Sequence, residues 1–120
     1  MSFPKEKCWR SKKYTRAAEG QSCTMNSPWC TYKDEETCFR HLNESFAGKG
    51  KGLKAHDFAG FDGCQGCEDW YTEGYLHSES WMNVGSIFSQ QQLKLERDWY
   101  AFRAMVRTIY RRLEQRVLKV

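Results

Sequence analysis

Four cysteines in two pairs are the residues of this 120-residue chain best suited to chemistry. Cys64 and Cys67 form a C-x-x-C turn, the spacing at which two thiolates reach one tetrahedral ion. Cys23 and Cys30, with six residues between them, can supply two more ligands from an upstream loop. A closed set of four thiolates favours a structural Zn²⁺, because no coordination position stays open for a substrate. The sequence therefore predicts a structural zinc site at these cysteines.

Two other interpretations of the cysteines stay open. Buried thiols can act as small apolar side chains, and six cysteines could form three disulfides in a secreted protein. Residues 1–13 lack the apolar middle of a secretory signal, and no apolar run reaches the roughly 18–20 residues that cross a bilayer. We therefore expect a cytoplasmic protein without membrane contact, in which Cys8 and Cys38 are free thiols.

The chain between the two cysteine pairs predicts a strand, a loop and a second strand. Residues 36–42 alternate as a strand that ends near His41. Residues 43–54 are rich in glycine and lysine and predict a loop, with a second extended segment near 57–61. Acidic residues favour the first turn of a helix, so a helix is expected to begin at Glu68. The predicted order is β, β, α with a cysteine turn before the helix.

A long C-terminal helix is predicted over residues 89–119. Ser89 and Gln92 fit a capping box at its start. Its apolar residues recur at steps of three and four, which is the spacing of one helical face. They are Leu95, Trp99, Phe102, Val106, Ile109, Leu113 and Val117. Such a face needs an apolar acceptor on its own domain or on a second subunit, so a homodimer through this helix is one expectation.

Charge is distributed unevenly along the chain, whose net charge is +4. Basic residues concentrate in 1–16 and 93–120, whereas the centre is acidic. Three arginines recur every four residues on the predicted C-terminal helix, at Arg103, Arg107 and Arg111. Basic flanks around an acidic centre suit a protein that holds a polyanion while carboxylates bind a metal. Solvated surface charge is the other interpretation of these arginines.

One folded unit of the α+β class is the simplest organisation for a chain of this length. We divide it into a basic N-terminal segment (1–15), a zinc-binding core (16–88) and a long basic amphipathic helix (89–120) that packs on the core or on a partner.

The ordered motifs of residues 16–75 resemble a known family, the small prophage-encoded nucleases of the YbcO type. These are relatives of the HNH, or ββα-metal, endonucleases. The residues that carry the resemblance are Cys23, Cys30, Glu36-Thr37, His41-Leu42, the loop 48–54 with Asp57, Cys64-x-x-Cys67 and Asp69. The resemblance implies a zinc-stapled ββα-metal unit in a phage or prophage protein of a bacterial host cell, and hydrolysis of DNA phosphodiester bonds.

The resemblance also implies that His41 is the general base of this reaction. Histidine titrates near neutrality and can take a proton from water, while Mg²⁺ or Mn²⁺ neutralises the scissile phosphate. The family usually carries a histidine directly after the second knuckle cysteine, where this chain has Glu68. A carboxylate can hold Mg²⁺, so Glu68 either replaces that histidine or marks lost activity. Asp69 and His56 are further candidate ligands of the catalytic ion.

DNA is the expected partner, and a host protein is the alternative one. The residues expected to contact nucleic acid are Arg40, Lys49, Lys51, Lys54, Arg103, Arg107 and Arg111. The sequence thus predicts a phage metal-dependent endonuclease. The alternative is a catalytically inactive zinc-binding module that binds a host protein or nucleic acid. His41 favours the endonuclease, and Glu68 in place of a histidine favours the binding module.

Overall fold

A computed structural model describes residues 9–42, 56–77 and 90–118 of the chain. The regular elements are α1 (Lys12–Arg16), a 3₁₀ turn (Asp34–Glu36), β1 (Cys38–His41), β2 (Gly60–Gly63), α2 (Gln65–Thr72), a second 3₁₀ turn (Gly74–His77) and α3 (Gln90–Glu114). The predicted phosphate contacts Lys49, Lys51 and Lys54, the capping residue Ser89 and the thiol of Cys8 lie outside the described residues. The α+β class is confirmed.

The sheet consists of β1 and β2, which pair antiparallel with Cys38 opposite Gly63 and His41 opposite Gly60. The first predicted strand, 36–42, is confirmed for Cys38–His41 only, because Glu36 belongs to the 3₁₀ turn before it. The second strand begins at Gly60, later than expected, because residues 57–59 form a turn in which the Ala59 N–H donates to the His56 carbonyl at 2.9 Å.

Helix α2 begins at Gln65, three residues before the predicted start at Glu68. Cys64 is its N-cap residue, and the Cys64 Sγ accepts a hydrogen bond from the Cys67 N–H at 3.4 Å. Capping of a helix N-terminus satisfies a backbone N–H that has no partner within the helix. The C-x-x-C pair therefore forms the first turn of the helix instead of preceding it.

Helix α3 has 25 residues and ends at Glu114, so the predicted end at 119 was wrong. Arg116 adopts a left-handed backbone conformation with φ of 59°. The N–H groups of Val117 and Leu118 both turn back to the Arg112 carbonyl, at 2.9 and 3.1 Å. These bonds close the last turn and lead the chain off the helix axis. Among the described residues, no helix is long and apolar enough to cross a membrane.

The face of α3 that packs on the domain is not the apolar face that the spacing identifies. Its buried residues are Glu96, Arg97, Ala101, Ala104, Thr108 and Arg112. Four residues of the predicted apolar face, Leu95, Trp99, Phe102 and Val106, are exposed, and the other three, Ile109, Leu113 and Val117, are partly buried. We call five side chains the outer stripe: Leu95, Trp99, Phe102, Val106 and Tyr110. Most of the predicted apolar face therefore lies away from the core of its own domain.

A buried cluster of polar groups holds α3 in this orientation. Asp62 on β2 and Arg112 on α3 are both fully buried, and the two carboxylate oxygens accept hydrogen bonds from the two terminal guanidinium nitrogens. The Arg112 Nε donates to the Tyr14 carbonyl at 2.7 Å. Thr108 Oγ1 accepts from the Asp62 N–H at 3.1 Å. These bonds satisfy the buried polar groups of β2 only when this face of α3 is inward.

The apolar core lies between β2, α2 and the small residues of α3. Phe61 on β2 and Trp70 and Tyr71 on α2 are almost completely buried. Ala101 and Ala104 present little bulk, so α3 approaches these rings closely. Trp70 also meets the ring of Tyr100 edge-on, with centroids 5.0 Å apart. The core thus anchors α2, and with it the cysteine turn.

Candidate metal centre

The four predicted zinc ligands converge at one point. The Sγ atoms of Cys23, Cys30, Cys64 and Cys67 all lie within 4.8 Å of one another. The Cys23–Cys67 pair is separated by 3.5 Å and the Cys30–Cys64 pair by 3.8 Å. A tetrahedron with Zn–S bonds of about 2.3 Å has edges of about 3.8 Å. The cluster therefore has the size and the donor chemistry of a closed zinc site.

The described cysteines are unbridged, which disfavours the disulfide interpretation. Disulfide sulfurs lie about 2.05 Å apart, and the shortest sulfur separations of the cluster are well above that. Three of the cluster's thiols, those of Cys23, Cys64 and Cys67, are buried.

Close backbone approach brings the two halves of the cluster together. Gly66, inside the C-x-x-C turn, lies against the Trp29 carbonyl, where a Cβ atom would collide with the oxygen. Only glycine allows the first turn of α2 to approach the upstream loop this closely. The loop then places Cys30, next to Trp29, against Cys64.

Hydrogen bonds from the upstream loop converge on the sulfur atoms. Ser27 donates to Cys67 Sγ through its N–H at 3.4 Å and through its Oγ at 3.1 Å. The Thr31 N–H donates to Cys64 Sγ at 3.4 Å, and Asn26 Nδ2 donates to Cys30 Sγ at 3.6 Å. Such donors stabilise thiolate charge and orient metal ligands.

The thiol pKa values of the cluster diverge. The side-chain hydrogen bond with Cys67 outweighs burial and lowers the pKa of Cys23 to about 5. Burial acts to raise the pKa of Cys64, but hydrogen bonds led by the Thr31 N–H hold it below its ordinary value. Burial raises the pKa of Cys30 to about 11. The pKa of Cys67 is raised by its side-chain hydrogen bond with Cys23 and by burial. A divalent cation would favour the thiolate form of all four.

His41 lies at the end of β1 beside a carboxylate that the site prediction did not include. Its Nε2 is 2.9 Å from Asp57 Oδ1. The same carboxylate accepts from Arg10 Nη1 at 3.1 Å and from the Ser11 N–H at 2.6 Å. The His41 side chain is 40% exposed, whereas that of Asp57 is 10% exposed. The arrangement is an accessible imidazole held by a largely buried acid.

Asp57 is charged over the physiological pH range. Burial acts to raise the pKa of its carboxyl, but hydrogen bonds from His41, the Ser11 N–H and Arg10 outweigh burial and hold the pKa below its ordinary value. A carboxylate accepts and does not donate, so neutral His41 donates through Nε2–H and leaves Nδ1 as an acceptor. The geometry therefore provides an oriented imidazole with one free basic nitrogen.

One solved structure is similar to this chain over most of its length. It is described as a "putative bacteriophage protein" from Escherichia coli str. K-12 substr. MG1655, and it is 17% identical to this chain. The match covers 86% of this chain and 99% of that chain, with a TM-score of 0.57. The likeness shows a shared fold. No protein-family model matches the chain. No curated protein matches it either.

The predicted ligands of a catalytic ion, Glu68, Asp69 and His56, form no group of three or more in the described part of the chain. Within residues 9–42, 56–77 and 90–118, the four cysteines are the only group of three or more histidine, cysteine or acidic side chains able to share an ion. His56 is buried, and its Nδ1 accepts from the Trp9 N–H at 2.9 Å. Asp69 is exposed and accepts from Gln65 Nε2 at 2.9 Å. His56 thus contacts the N-terminal segment, and it is Asp57 that meets His41.

Glu68 is half-buried on the first turn of α2. Burial raises the pKa of its carboxyl, and the charge of Arg40 opposes that rise. Arg40 itself donates from Nε to the Gly63 carbonyl at 3.1 Å and from Nη2 to the Glu36 carbonyl at 3.4 Å. Arg40 therefore holds the two strands together in addition to any contact with nucleic acid.

The basic ridge of α3 contacts the loop that carries Cys23. Arg103 donates to the Met25 carbonyl at 2.7 Å, and Arg107 donates to the Thr24 carbonyl at 3.2 Å. Arg111 donates to the Ser22 carbonyl at 2.7 Å and to Asp62 at 2.9 Å. Each of the three arginines in the predicted DNA contact therefore also donates hydrogen bonds within the protein.

Sequence reasoning missed Asp57 and Arg10 as site residues. Asp57 directly follows His56, and the sequence analysis chose that histidine as the candidate metal ligand. Arg10 lies 47 positions from Asp57 and belongs to a basic segment in which no spacing distinguishes one residue from the others. Only the tertiary structure places them beside His41.

Proposed function

We propose that this protein is a phage-encoded, zinc-stapled endonuclease of the HNH-like class that hydrolyses DNA phosphodiester bonds with His41 as general base. The observation that carries the proposal is the accessible imidazole of His41, held by the buried carboxylate of Asp57 at the end of β1. Surface histidines seldom have a buried acid as a partner unless the ring must keep one tautomer and one direction.

The position of the cysteine cluster supports this function. β1 ends at His41 and pairs with β2, and β2 leads into the C-x-x-C turn and α2. A zinc ion at the cluster would fix the strands and the helix relative to each other. The shared fold with a structure described as a bacteriophage protein supports the assignment to a phage.

The reaction that fits this geometry is attack of water on phosphorus. His41 Nδ1 accepts a proton as the water oxygen bonds to phosphorus, and the bond from phosphorus to the leaving oxygen breaks. Arg10, with a side chain 42% exposed, is placed to contact a phosphate oxygen near the imidazole. Mg²⁺ or Mn²⁺, when bound, neutralises charge on the phosphate. Glu68 is the candidate oxygen ligand for this ion, but among the described residues it belongs to no group of three or more side chains able to share an ion.

Replacement of His41 by alanine tests the general base. General base catalysis contributes about 10²- to 10⁴-fold to a rate, so we expect plasmid nicking by His41→Ala to fall by that factor. The assay uses folded, zinc-loaded protein at low salt with Mg²⁺ or Mn²⁺, because phosphate contacts weaken as salt rises.

His77→Ala is the matched control, since His77 is an exposed histidine on the second 3₁₀ turn. It should cut like the wild type. If folded wild-type protein cuts DNA with neither ion, the endonuclease proposal is wrong and the binding module takes its place. Equal loss in both histidine variants would also contradict the role of His41.

Replacement of Asp57 by asparagine tests its role as a positioning residue. The amide can present either its oxygen or its NH₂ to His41 Nε2, so the tautomer is no longer fixed. We expect nicking to slow by about tenfold or more. The ¹⁵N NMR shifts of the His41 ring should report mainly Nε2–H in the wild type and a mixture of tautomers in Asp57→Asn. Slower nicking with an unchanged tautomer would assign Asp57 a purely structural role.

A further inference from the structure

In the described part of the chain, the outer stripe of α3 is an exposed apolar surface. Leu95, Trp99, Phe102, Val106 and Tyr110 are 47–63% exposed. Isolated apolar side chains on a surface are ordinary, but a continuous row of large ones marks an interaction surface. Residues three and four positions apart are neighbours on a helix, so these five form one continuous strip.

The spacing of the stripe indicates that its partner is another helix. Four residues of the stripe belong to a longer apolar row, which we call the seam and whose members follow at steps of 4, 3, 4, 3 and 4. The seam consists of Leu95, Trp99, Phe102, Val106, Ile109 and Leu113. This is the heptad spacing of a coiled-coil seam, in which each side chain fits between four side chains of a facing helix. The seam extends over 18 residues, or about 27 Å along the helix axis.

The apolar area is sufficient for self-association. Large side chains expose about 150–250 Å² each when free, so five that are about half exposed offer on the order of 500 Å² per copy. Two copies would bury on the order of 1,000 Å², which is about the lower limit for a specific interface. The side chains of Ile109 and Leu113 are partly exposed, and their burial would add to this area.

A second copy of α3 is the helix that matches the stripe in length. In the described part of the chain, the other α-helices have 5 and 8 residues, too short to align with the whole seam. The opposite face of α3 is already bonded to β2 through Asp62 and Arg112. Arg103, at the edge of the stripe, lies 4.7 Å from the centre of the Trp99 ring and donates to the Met25 carbonyl. These contacts hold its charge at the edge of the seam.

We propose that the protein is a homodimer in which the outer stripes of two α3 helices pack against each other. The interface is isologous, with the same apolar row contributed by both copies. The proposal does not depend on the nuclease function, because its evidence is the exposure and spacing of α3 alone.

The test is the mass in solution of the zinc-loaded full chain without nucleic acid, by sedimentation equilibrium over the micromolar range. The wild type should approach twice the 14.2 kDa mass of one chain. Phe102→Glu should raise the dissociation constant by at least about 30-fold, the effect of losing an interface hot spot. Val106→Glu should act in the same direction and gives a second measurement if Phe102→Glu folds poorly. Circular dichroism and zinc content check that each variant is folded.

Lys94→Glu is the matched control, because Lys94 is exposed on α3 but does not belong to the outer stripe. It should leave the dissociation constant unchanged. A wild type of single-chain mass at high micromolar concentration would overturn the proposal, as would a dimer that neither stripe variant weakens. A monomer whose melting temperature falls in Phe102→Glu would show that the stripe packs within its own chain, which also overturns it.

Discussion

Replacing Cys67 by serine is expected to abolish cooperative folding of the domain. Cys67 is fully buried, and its Sγ lies 3.5 Å from that of Cys23. Zinc contributes about 10–16 kcal/mol to the folding of small zinc peptides, whereas a whole domain is stable by about 5–15 kcal/mol. If even part of the free energy that zinc contributes to folding is lost, the remaining core is not stable enough to keep the domain folded. A serine hydroxyl is a poor zinc ligand and cannot replace the thiolate.

The measurements are zinc content per chain and thermal unfolding by circular dichroism. Cys38→Ser is the matched control, because Cys38 is a partly exposed free thiol on β1 and does not belong to the cluster. It should bind one zinc ion and melt like the wild type. A strong chelator should unfold the wild-type protein, whereas a thiol reductant should not. A Cys67→Ser variant that melts like the wild type would show that the cluster is ordinary apolar packing of thiols.

The metal centre could be predicted from sequence because its signal is local. A C-x-x-C turn places two sulfurs together whatever the rest of the chain does, and only the upstream pair requires the tertiary fold. The same applies to β1, where alternation over a few residues fixes both the strand and the direction of His41. The predicted start of α2 was three residues too late. The prediction relied on acidic residues that favour a first helical turn, whereas the helix begins earlier because the thiol of Cys64 caps it.

The environment of His41 could not be predicted because its partners are distant in sequence. Asp57 is 16 positions away, and Arg10 and Ser11 are 47 and 46 positions from Asp57. Nothing in their own spacing indicates that they share a carboxylate. The geometry arises because β1 pairs with β2 and the N-terminal segment crosses the end of the sheet.

The side of α3 that packs on the core could not be predicted, for a different physical reason. Hydrophobic periodicity finds the apolar face of a helix, and such a face is usually the one that packs on the core. In this chain a buried carboxylate on β2 requires guanidinium and hydroxyl partners, and Arg112 and Thr108 supply them from the polar face. The small side chains of Ala101 and Ala104 complete the contact. Most of the apolar face is then exposed.

Replacing Asp62 by asparagine tests this explanation and is expected to destabilise the domain by about 3–5 kcal/mol. Removing one partner of a buried ion pair leaves an uncompensated charge, and that cost falls in this range. Here the remaining charge would be Arg112, whose side chain is fully buried. Arg111, with a side chain 21% exposed, can turn to water and adds less. The measurement is denaturant unfolding of zinc-saturated protein at one fixed concentration, because association would change the apparent stability.

Asp98→Asn is the matched control, since Asp98 also pairs with an arginine of α3 but is 37% exposed. Its loss should cost less than about 1 kcal/mol. Arg97, its partner, keeps its contacts over the rings of Tyr71 and Tyr75. The double variant Asp62→Leu/Arg112→Met should recover part of the loss, because it removes both buried charges. If Asp62→Asn and Asp98→Asn lower the free energy of unfolding by equal small amounts, polar bonding does not set the orientation of α3. The outward position of the stripe would then need another explanation.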